Sequence, residues 1–146
     1  KYHYLNDFDN AMIALVKKVK NFQKLAVEKL WEKDDDQVLA FKRGDYAFVF
    51  NFNPYKSFSD YGILAPAGEY SVVLSSDNPD FGGYGNVDEK VSHLTQYDEL
   101  YAPHGVEWLK LYLPARSAIV LKKKRTRAKC ATTKPAAPKR KCAKKK

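Results

Sequence analysis

The sequence YAFVFNF, residues 46–52, decides the fold class of this chain. Successive side chains of an extended strand point to opposite faces. One face of this segment carries Tyr46, Phe48, Phe50 and Phe52, and the other carries Ala47, Val49 and Asn51. Both faces are largely apolar, which predicts a central strand that is covered on both sides. Because proline has no amide hydrogen for a strand ladder, Pro54 ends the segment.

Five further segments have the composition of short strands and are separated by turn residues. They are residues 26–33, 38–43, 70–76, 107–114 and 117–121. The intervening residues 54–68 and the glycine-rich DNPDFGGYGN are predicted as loops. Residues 87–105 are predicted to be irregular with room for short strands. Short strands separated by turns indicate a mainly β fold, and we predict an antiparallel β-sandwich over residues 22–123.

The sequence LNDFDNAMIALVKKVKN, residues 5–21, predicts one amphipathic helix ahead of the sandwich. Its apolar residues Phe8, Met12, Leu15 and Val19 recur at the spacing of one helix face. Asn6 is the predicted N-cap, and Asn21 is the predicted stop. Leu5 and Ile13 widen this stripe, which indicates that the helix packs against a substantial partner.

The charge of the chain is unevenly distributed. Of the 26 basic residues, 13 lie in residues 122–146 with no acid, so the remainder carries 13 bases against 17 acids. Residues 124–146 are rich in Lys, Ala and Pro, and we expect a disordered basic tail that binds nucleic acid only non-specifically. No apolar run is long enough to span a membrane. The chain begins with Lys1 rather than Met, so we expect it to continue upstream.

Metal and cofactor chemistry have little support in the sequence. The three histidines are scattered along the chain, and Cys130 and Cys142 are too far apart for a zinc pair. Since the body of the chain has no cysteine, a reducing compartment, the cytoplasm, is expected. The string DFGGYG matches neither known pattern of phosphate-binding glycines, so its glycines are interpreted as turn residues. We therefore assign no metal site and no cofactor.

The loop residues offer two readings, one chemical and one structural. Asp60, Asp77, Asp80 and Asp88 lie beside Ser, Asn and Pro, where aspartate commonly caps its own backbone, so turn roles are favoured over a catalytic carboxylate pair. The aromatic faces of Tyr55, Tyr61, Tyr84 and Trp108 could stack on sugar rings. A sandwich of this size also needs aromatic residues in its core and beneath its loops.

Four strings carry a resemblance to a known family. They are YLNDFDNAM (residues 4–12), FNFNPYKSFSDY (50–61), GEYSVVLSSDNPDFGG (68–83) and LYLPARSAIVL (111–121). Together they resemble the C-terminal part of glycogen and starch branching enzymes, members of the α-amylase superfamily. The family usually has Pro-Ser-Arg before the closing strand, where this chain has Ala115 in place of the serine.

The resemblance implies an enzyme that is larger than this chain. Residues 1–21 would be the last helix of an upstream (β/α)₈ barrel, and residues 22–123 a C-terminal all-β sandwich packed on it. The barrel would carry an Asp nucleophile and a Glu acid/base that cut an α-1,4-glucan and re-attach the piece through an α-1,6 bond. No residue of this chain is assigned as catalytic, so the isolated chain is expected to be inactive. It should expose an apolar patch around Phe8, Met12 and Leu15.

Two other classes of function stay open from the sequence. A free-standing carbohydrate-binding module would bind glycogen by itself and lose that affinity on Tyr84→Ala or Trp108→Ala. A nucleic-acid-associated protein would act through its basic tail, and its binding would fall steeply with salt and disappear on truncation after Leu121.

Overall fold

A computed structural model describes residues 2–124. The helix is α1 (His3–Lys18). The strands are β1 (Val27–Lys33), β2 (Val38–Arg43), β3 (Tyr46–Asn51), β4 (Phe58–Pro66), β5 (Glu69–Ser75), β6 (Ser92–Leu94), β7 (Val106–Leu113) and β8 (Ser117–Lys123). Short 3₁₀ turns lie at Phe22–Lys24, Pro79–Phe81 and Ala102–His104. The predicted tail lies outside the described residues, except for Lys124.

The strands form two antiparallel layers. One sheet has the order β1-β2-β3-β8-β5-β6, and the second consists of β4 paired with β7. Strand β3 lies between β2 and β8, which confirms the central position predicted from its two apolar faces. The predicted antiparallel β-sandwich preceded by one helix is likewise confirmed.

The core lies between the two sheets and is built from the inward positions of alternating strands. Its side chains with at most 3% exposure include Ala47, Val49, Ile63, Ala65, Leu109, Leu111, Leu113, Ile119 and Leu121. Full burial of a Leu, Ile or Val side chain stabilises the fold by roughly 1.5–3 kcal/mol. This set therefore holds the two layers together.

Asn51, the last residue of β3, ties the end of the strand to the following loop and to the end of β7 through side-chain hydrogen bonds. Its Nδ2 donates to the carbonyl oxygens of Lys56 at 2.9 Å, Leu113 at 3.3 Å and Pro114 at 2.9 Å. Its Oδ1 accepts from the backbone N–H of Asn53 at 3.0 Å. The side chain is 2% exposed. This buried amide, with partners on both its nitrogen and its oxygen, therefore anchors the end of the central strand.

One predicted loop is wrong. Residues 54–68 contain β4, which pairs with β7 at Phe58 and from Tyr61 to Pro66. The strand is irregular, which makes it hard to recognise from the sequence. Gly62 lies within it, Asp60 has a left-handed φ of 59°, and the register shifts between Phe58 and Tyr61. Its pairing with β7 and its buried face override these local signals.

The N-terminus of α1 also differs from the prediction. The helix begins at His3 with Tyr2 as its N-cap, and the backbone N–H of Asn6 donates to the carbonyl oxygen of Tyr2. Asn6 therefore lies inside the first turn instead of capping it. A tertiary contact accounts for the extra residues, since the ring of Tyr4 packs against Gly82. Lys17 and Lys18 occupy the last turn, where positive charge complements the helix dipole.

Candidate functional site

The four predicted glucan-contacting residues fall into two environments. Tyr55 and Tyr84 lie on loops and are 88% and 91% exposed. Tyr61 and Trp108 are half-buried and belong to one aromatic cluster on β4 and β7. The structure thus separates two free rings from two rings that already have protein partners.

Trp108 is enclosed on several sides by its neighbours. Its indole lies over Gly62, where a Cβ would sit 3.0 Å from Cε3 of the indole. Trp31 and Tyr101 meet it edge to face, with centroid distances of 5.4 and 5.3 Å. Its Nε1 donates to Oδ2 of Asp98 at 3.2 Å. The ring and the polar atom of Trp108 both have protein partners, which gives this tryptophan a packing role, and its contact with glucan stays a prediction.

Tyr61 links the edge strand β1 to β4. Its hydroxyl accepts from Nε1 of Trp31 at 3.3 Å and donates to Oδ2 of Asp36 at 3.0 Å. Burial raises the pKa of Tyr61 above its ordinary value. A hydrogen bond from Lys33 lowers the pKa of Asp36, so the ion pair between Lys33 and Asp36 stays charged at neutral pH. These contacts give Tyr61 a role in joining the two sheets.

The glycine-rich segment, residues 77–87, is named the Asp77 loop here and has a tightly organised backbone. The carboxylate of Asp77 accepts from the N–H groups of Tyr84 at 3.2 Å, Asn86 at 2.5 Å and Val87 at 3.1 Å. A Cβ at Gly83 would lie 2.2 Å from the Asp77 carbonyl carbon. The predicted turn role of Asp77 is confirmed, and the glycine allows the close approach of two backbone segments.

Helix α1 docks on the sandwich through this loop and the adjoining sheet. Its residues Phe8, Ala11, Leu15 and Val19 pack against Tyr46, Leu74 and Val120, on the sheet face that points away from the core. At the N-terminal end, Phe8 meets Phe81 and Tyr4 covers Gly82. The Asp77 loop therefore acts as a cradle for the first half of α1.

A second apolar surface of α1 faces solvent. It is named the free face and consists of Leu5 (61% exposed), Met12 (42%), Ile13 (49%) and Val16 (38%). The predicted patch around Phe8, Met12 and Leu15 was therefore only partly right. Phe8 and Leu15 cover the sheet, whereas Met12 belongs to the exposed surface. The reason is that α1 is apolar on two sides, and the sandwich covers Phe8, Leu15 and Val19 of the predicted stripe but leaves Met12 exposed.

The outer face of β2 and β3 continues as a row of phenylalanines. Phe41 stacks on Phe48 with 5.1 Å between centroids, and Phe50 stacks on Phe52 at 5.6 Å. Tyr46 is buried at one end of the row, but Phe52 at the other end is 61% exposed. The prediction that β3 is covered on both faces thus holds fully for the core face and only partly for the outer face.

A concave region of about 700 Å³ lies between the end of α1 and the end of β8. Among the described residues that line it are five lysines and a single carboxylate, Asp45. A retaining glycosidase needs two carboxyl groups roughly 5–5.5 Å apart. This cleft offers no such pair.

Within residues 2–124, no group of three or more His, Cys, Asp or Glu side chains could hold a metal ion. None of the helices in the same residues is long and apolar enough to cross a membrane.

Residues 31–124 match the family described as the alpha amylase C-terminal all-beta domain, and the chain belongs to this family. Three relatives are 1,4-alpha-glucan-branching enzymes, from Rhizophagus irregularis, Arabidopsis thaliana and Saccharomyces cerevisiae. They are 35%, 38% and 33% identical to this chain over 83%, 82% and 83% of its length. The chain spans 18%, 15% and 17% of the lengths of these relatives.

Proposed function

We propose that this chain is the C-terminal region of a 1,4-α-glucan-branching enzyme. The complete enzyme would cleave an α-1,4-glucan and transfer the piece to form an α-1,6 branch. The proposal is supported by relatives named as 1,4-alpha-glucan-branching enzymes, which are 33–38% identical to this chain over most of its length. In this proposal the chain contributes structure and docking, and the catalytic carboxylates lie on a barrel upstream.

The free face of α1 is the observation that carries the docking role. Residues 5, 12, 13 and 16 lie on one side of the helix, and residues 4, 8, 11, 15 and 19 lie on the side that packs against the sandwich. The helix thus carries apolar residues on two adjacent sides, and covering the second side requires a partner beyond the sandwich. We propose that residues 1–21 are the last helix of the barrel and that residues 22–123 form the sandwich behind it.

The energetics agree with a stable interface. The four side chains of the free face are 38–61% exposed. Covering the exposed part of each would contribute on the order of 1 kcal/mol, so the helix alone would supply about 4 kcal/mol to docking. The outer end of the phenylalanine row, near Phe52, offers further apolar area on the same side of the six-stranded sheet.

A chimera tests this proposal. This chain would replace the matched region of the Saccharomyces cerevisiae relative, and branching would be followed by the fall in iodine absorbance of amylose. We expect an active chimera and an inactive isolated chain. A soluble, folded chimera without branching activity, beside an active parent enzyme, would overturn the proposal. Branching by the isolated chain would overturn it as well.

A matched pair of variants tests the docking surface within the chimera. Ile13→Glu places a charge in the free face, whereas Asn10→Glu places the same charge on another exposed position of the helix. We expect the first variant to lose soluble active enzyme and the second to retain it, because a charge buried without a partner is costly. Equal behaviour of the two variants would show that the free face is not an interface.

A further inference from the structure

Tyr84 combines an exposed ring with a backbone that is held in place. Its ring is 91% exposed, yet its N–H is bound by the carboxylate of Asp77. On both sides of it the loop is restrained, by the close contact of Gly83 with Asp77 and by the N–H of Gly85, which donates to the Asp77 carbonyl at 2.7 Å. An aromatic residue on a restrained loop loses little conformational entropy when a ligand binds.

The position of Tyr84 relative to α1 is set by two neighbouring contacts. Phe81 meets Phe8, and a Cβ at Gly82 would lie 3.1 Å from Cδ2 of Tyr4. Two residues of chain reach at most about 7 Å, so Tyr84 lies close to this contact. Tyr84 therefore stands beside the N-terminal end of α1, the end opposite Val19.

The direction of α1 then locates Tyr84 on the whole enzyme. In a (β/α)₈ barrel the loop that leaves the C-terminal end of each strand leads into the N-terminus of the next helix. Helix N-termini consequently lie on the face of the barrel that holds the active site. If α1 is a barrel helix, as proposed above, the Asp77 loop sits at the rim of the catalytic face.

On the basis of the proposed function, we infer that Tyr84 is a glucan-binding residue at the rim of the catalytic face. Its ring receives a segment of α-1,4-glucan that extends beyond the active site. The apolar C–H face of a glucose residue packs on the aromatic face, as in other aromatic contacts. Tyr84 takes no part in bond cleavage. Its contribution is to hold long chains, whereas short oligosaccharides do not reach it.

Tyr97 provides a matched control at the other end of the sandwich. It is an exposed tyrosine, with 71% of its surface accessible. It follows Thr95, whose N–H donates to the carbonyl oxygen of Gly68 just before β5, whereas the Asp77 loop follows the end of β5. A strand of this length separates the two ends by roughly 20 Å. Loss of the Tyr97 ring should leave the catalytic face unchanged.

The experiment uses the active chimera with Tyr84→Ala, Tyr84→Phe and Tyr97→Ala. We expect Tyr84→Ala to raise KM for long amylose about three- to tenfold, a range that corresponds to one aromatic contact. Its kcat, and its KM for a short malto-oligosaccharide, should stay within about twofold of the parent. Tyr84→Phe and Tyr97→Ala should resemble the parent, because the first keeps the ring face and the second lies at the far end.

The outcomes separate this inference from the function on which it rests. A folded chimera without any branching activity refutes the proposed function. An active chimera in which Tyr84→Ala has the parental KM for long amylose refutes the role of Tyr84 alone. A rise in KM for long and short substrates together, or an equal rise in Tyr97→Ala, also overturns it, since neither result reports a contact beyond the active site. Thermal unfolding of each variant checks that this exposed substitution leaves the fold intact.

Discussion

Phe8 of α1 meets Phe81 of the Asp77 loop edge to face, with 5.4 Å between ring centroids and 80° between ring planes. The contact joins the start of the described chain to a loop more than seventy residues later. Beside it, Tyr4 covers Gly82. The string DNPDFGG therefore serves a packing purpose, since its aromatic residue and its glycine together receive the helix.

Phe81→Ala should loosen α1 while the sandwich persists. The half-buried ring supplies apolar contact and an edge-to-face interaction, so we expect a loss of about 1–2 kcal/mol in helix docking. Hydrogen exchange of the α1 amides, measured on this chain, should accelerate relative to the strands. Tyr55→Ala removes an exposed ring elsewhere and serves as the control. Unchanged α1 protection in Phe81→Ala would contradict the cradle.

Gly83→Ala should be much more damaging than Gly105→Ala. A Cβ at Gly83 would collide with the backbone of Asp77, which cannot move without breaking the loop's hydrogen bonds. A Cβ at Gly105 meets no atom within 4 Å, and only its positive φ of 75° opposes the change. We expect a cost of more than about 2 kcal/mol for the first and about 1 kcal/mol for the second. Urea unfolding compares the two directly.

Asn51→Ala should destabilise the sandwich strongly. The substitution removes the donor to three carbonyl oxygens and the acceptor for the N–H of Asn53. The Pro114 carbonyl keeps the Ser117 hydroxyl as a donor, but the other groups lose a side-chain partner. Because a buried backbone group without a partner costs about 1–3 kcal/mol, we expect a loss of about 3 kcal/mol. Asn10→Ala, on the exposed side of α1, should be nearly neutral. A loss below about 1 kcal/mol for Asn51→Ala would show that water replaces the amide.

Tyr70 should make the fold sensitive to alkali. Burial raises the pKa of its hydroxyl to about 12, and the hydroxyl donates to the carbonyl oxygen of Pro66 at 2.7 Å. The folded state thus favours the neutral phenol, so this stabilisation is complete below the unfolded pKa of about 10 and is lost as the pH rises toward about 12.

The matching measurement is the free energy of unfolding between pH 9 and pH 12 for the native chain and for Tyr70→Phe. We expect the native chain to lose about 2 kcal/mol more than the variant across this interval. The variant itself should be less stable at neutral pH, since it lacks the hydrogen bond to Pro66. Parallel pH profiles for the two proteins would mean that Tyr70 ionises as easily when folded as when unfolded.

Much of the sandwich could be predicted because its strands carry strong local signals. Strand β2 lies where composition placed it, and β3 is central as its two apolar faces indicated. Strand β4 was missed because Gly62 and the left-handed Asp60 look like loop residues. Gly62 is there for a tertiary reason, namely the indole of Trp108 above it, and no local pattern reveals such a contact.

The candidate binding and docking surfaces likewise depend on tertiary contacts that the sequence does not reveal. Helical periodicity identified the stripe of Phe8 and Leu15, but a stripe does not say which partner covers it. The structure shows that the sandwich covers this stripe and leaves Ile13 and Val16 outside. Tyr61 and Trp108 looked as available as Tyr84 in the sequence, because exposure depends on neighbours that are distant along the chain.

The docking of α1 has a practical consequence for anyone who trims the gene. The family match begins at residue 31, in the middle of β1, and leaves out the whole helix. A protein truncated at that boundary would expose the apolar patch formed by Tyr46, Leu74 and Val120. We expect such a protein to aggregate in solution. The shortest truncated protein that remains soluble and monodisperse should therefore begin before Tyr4.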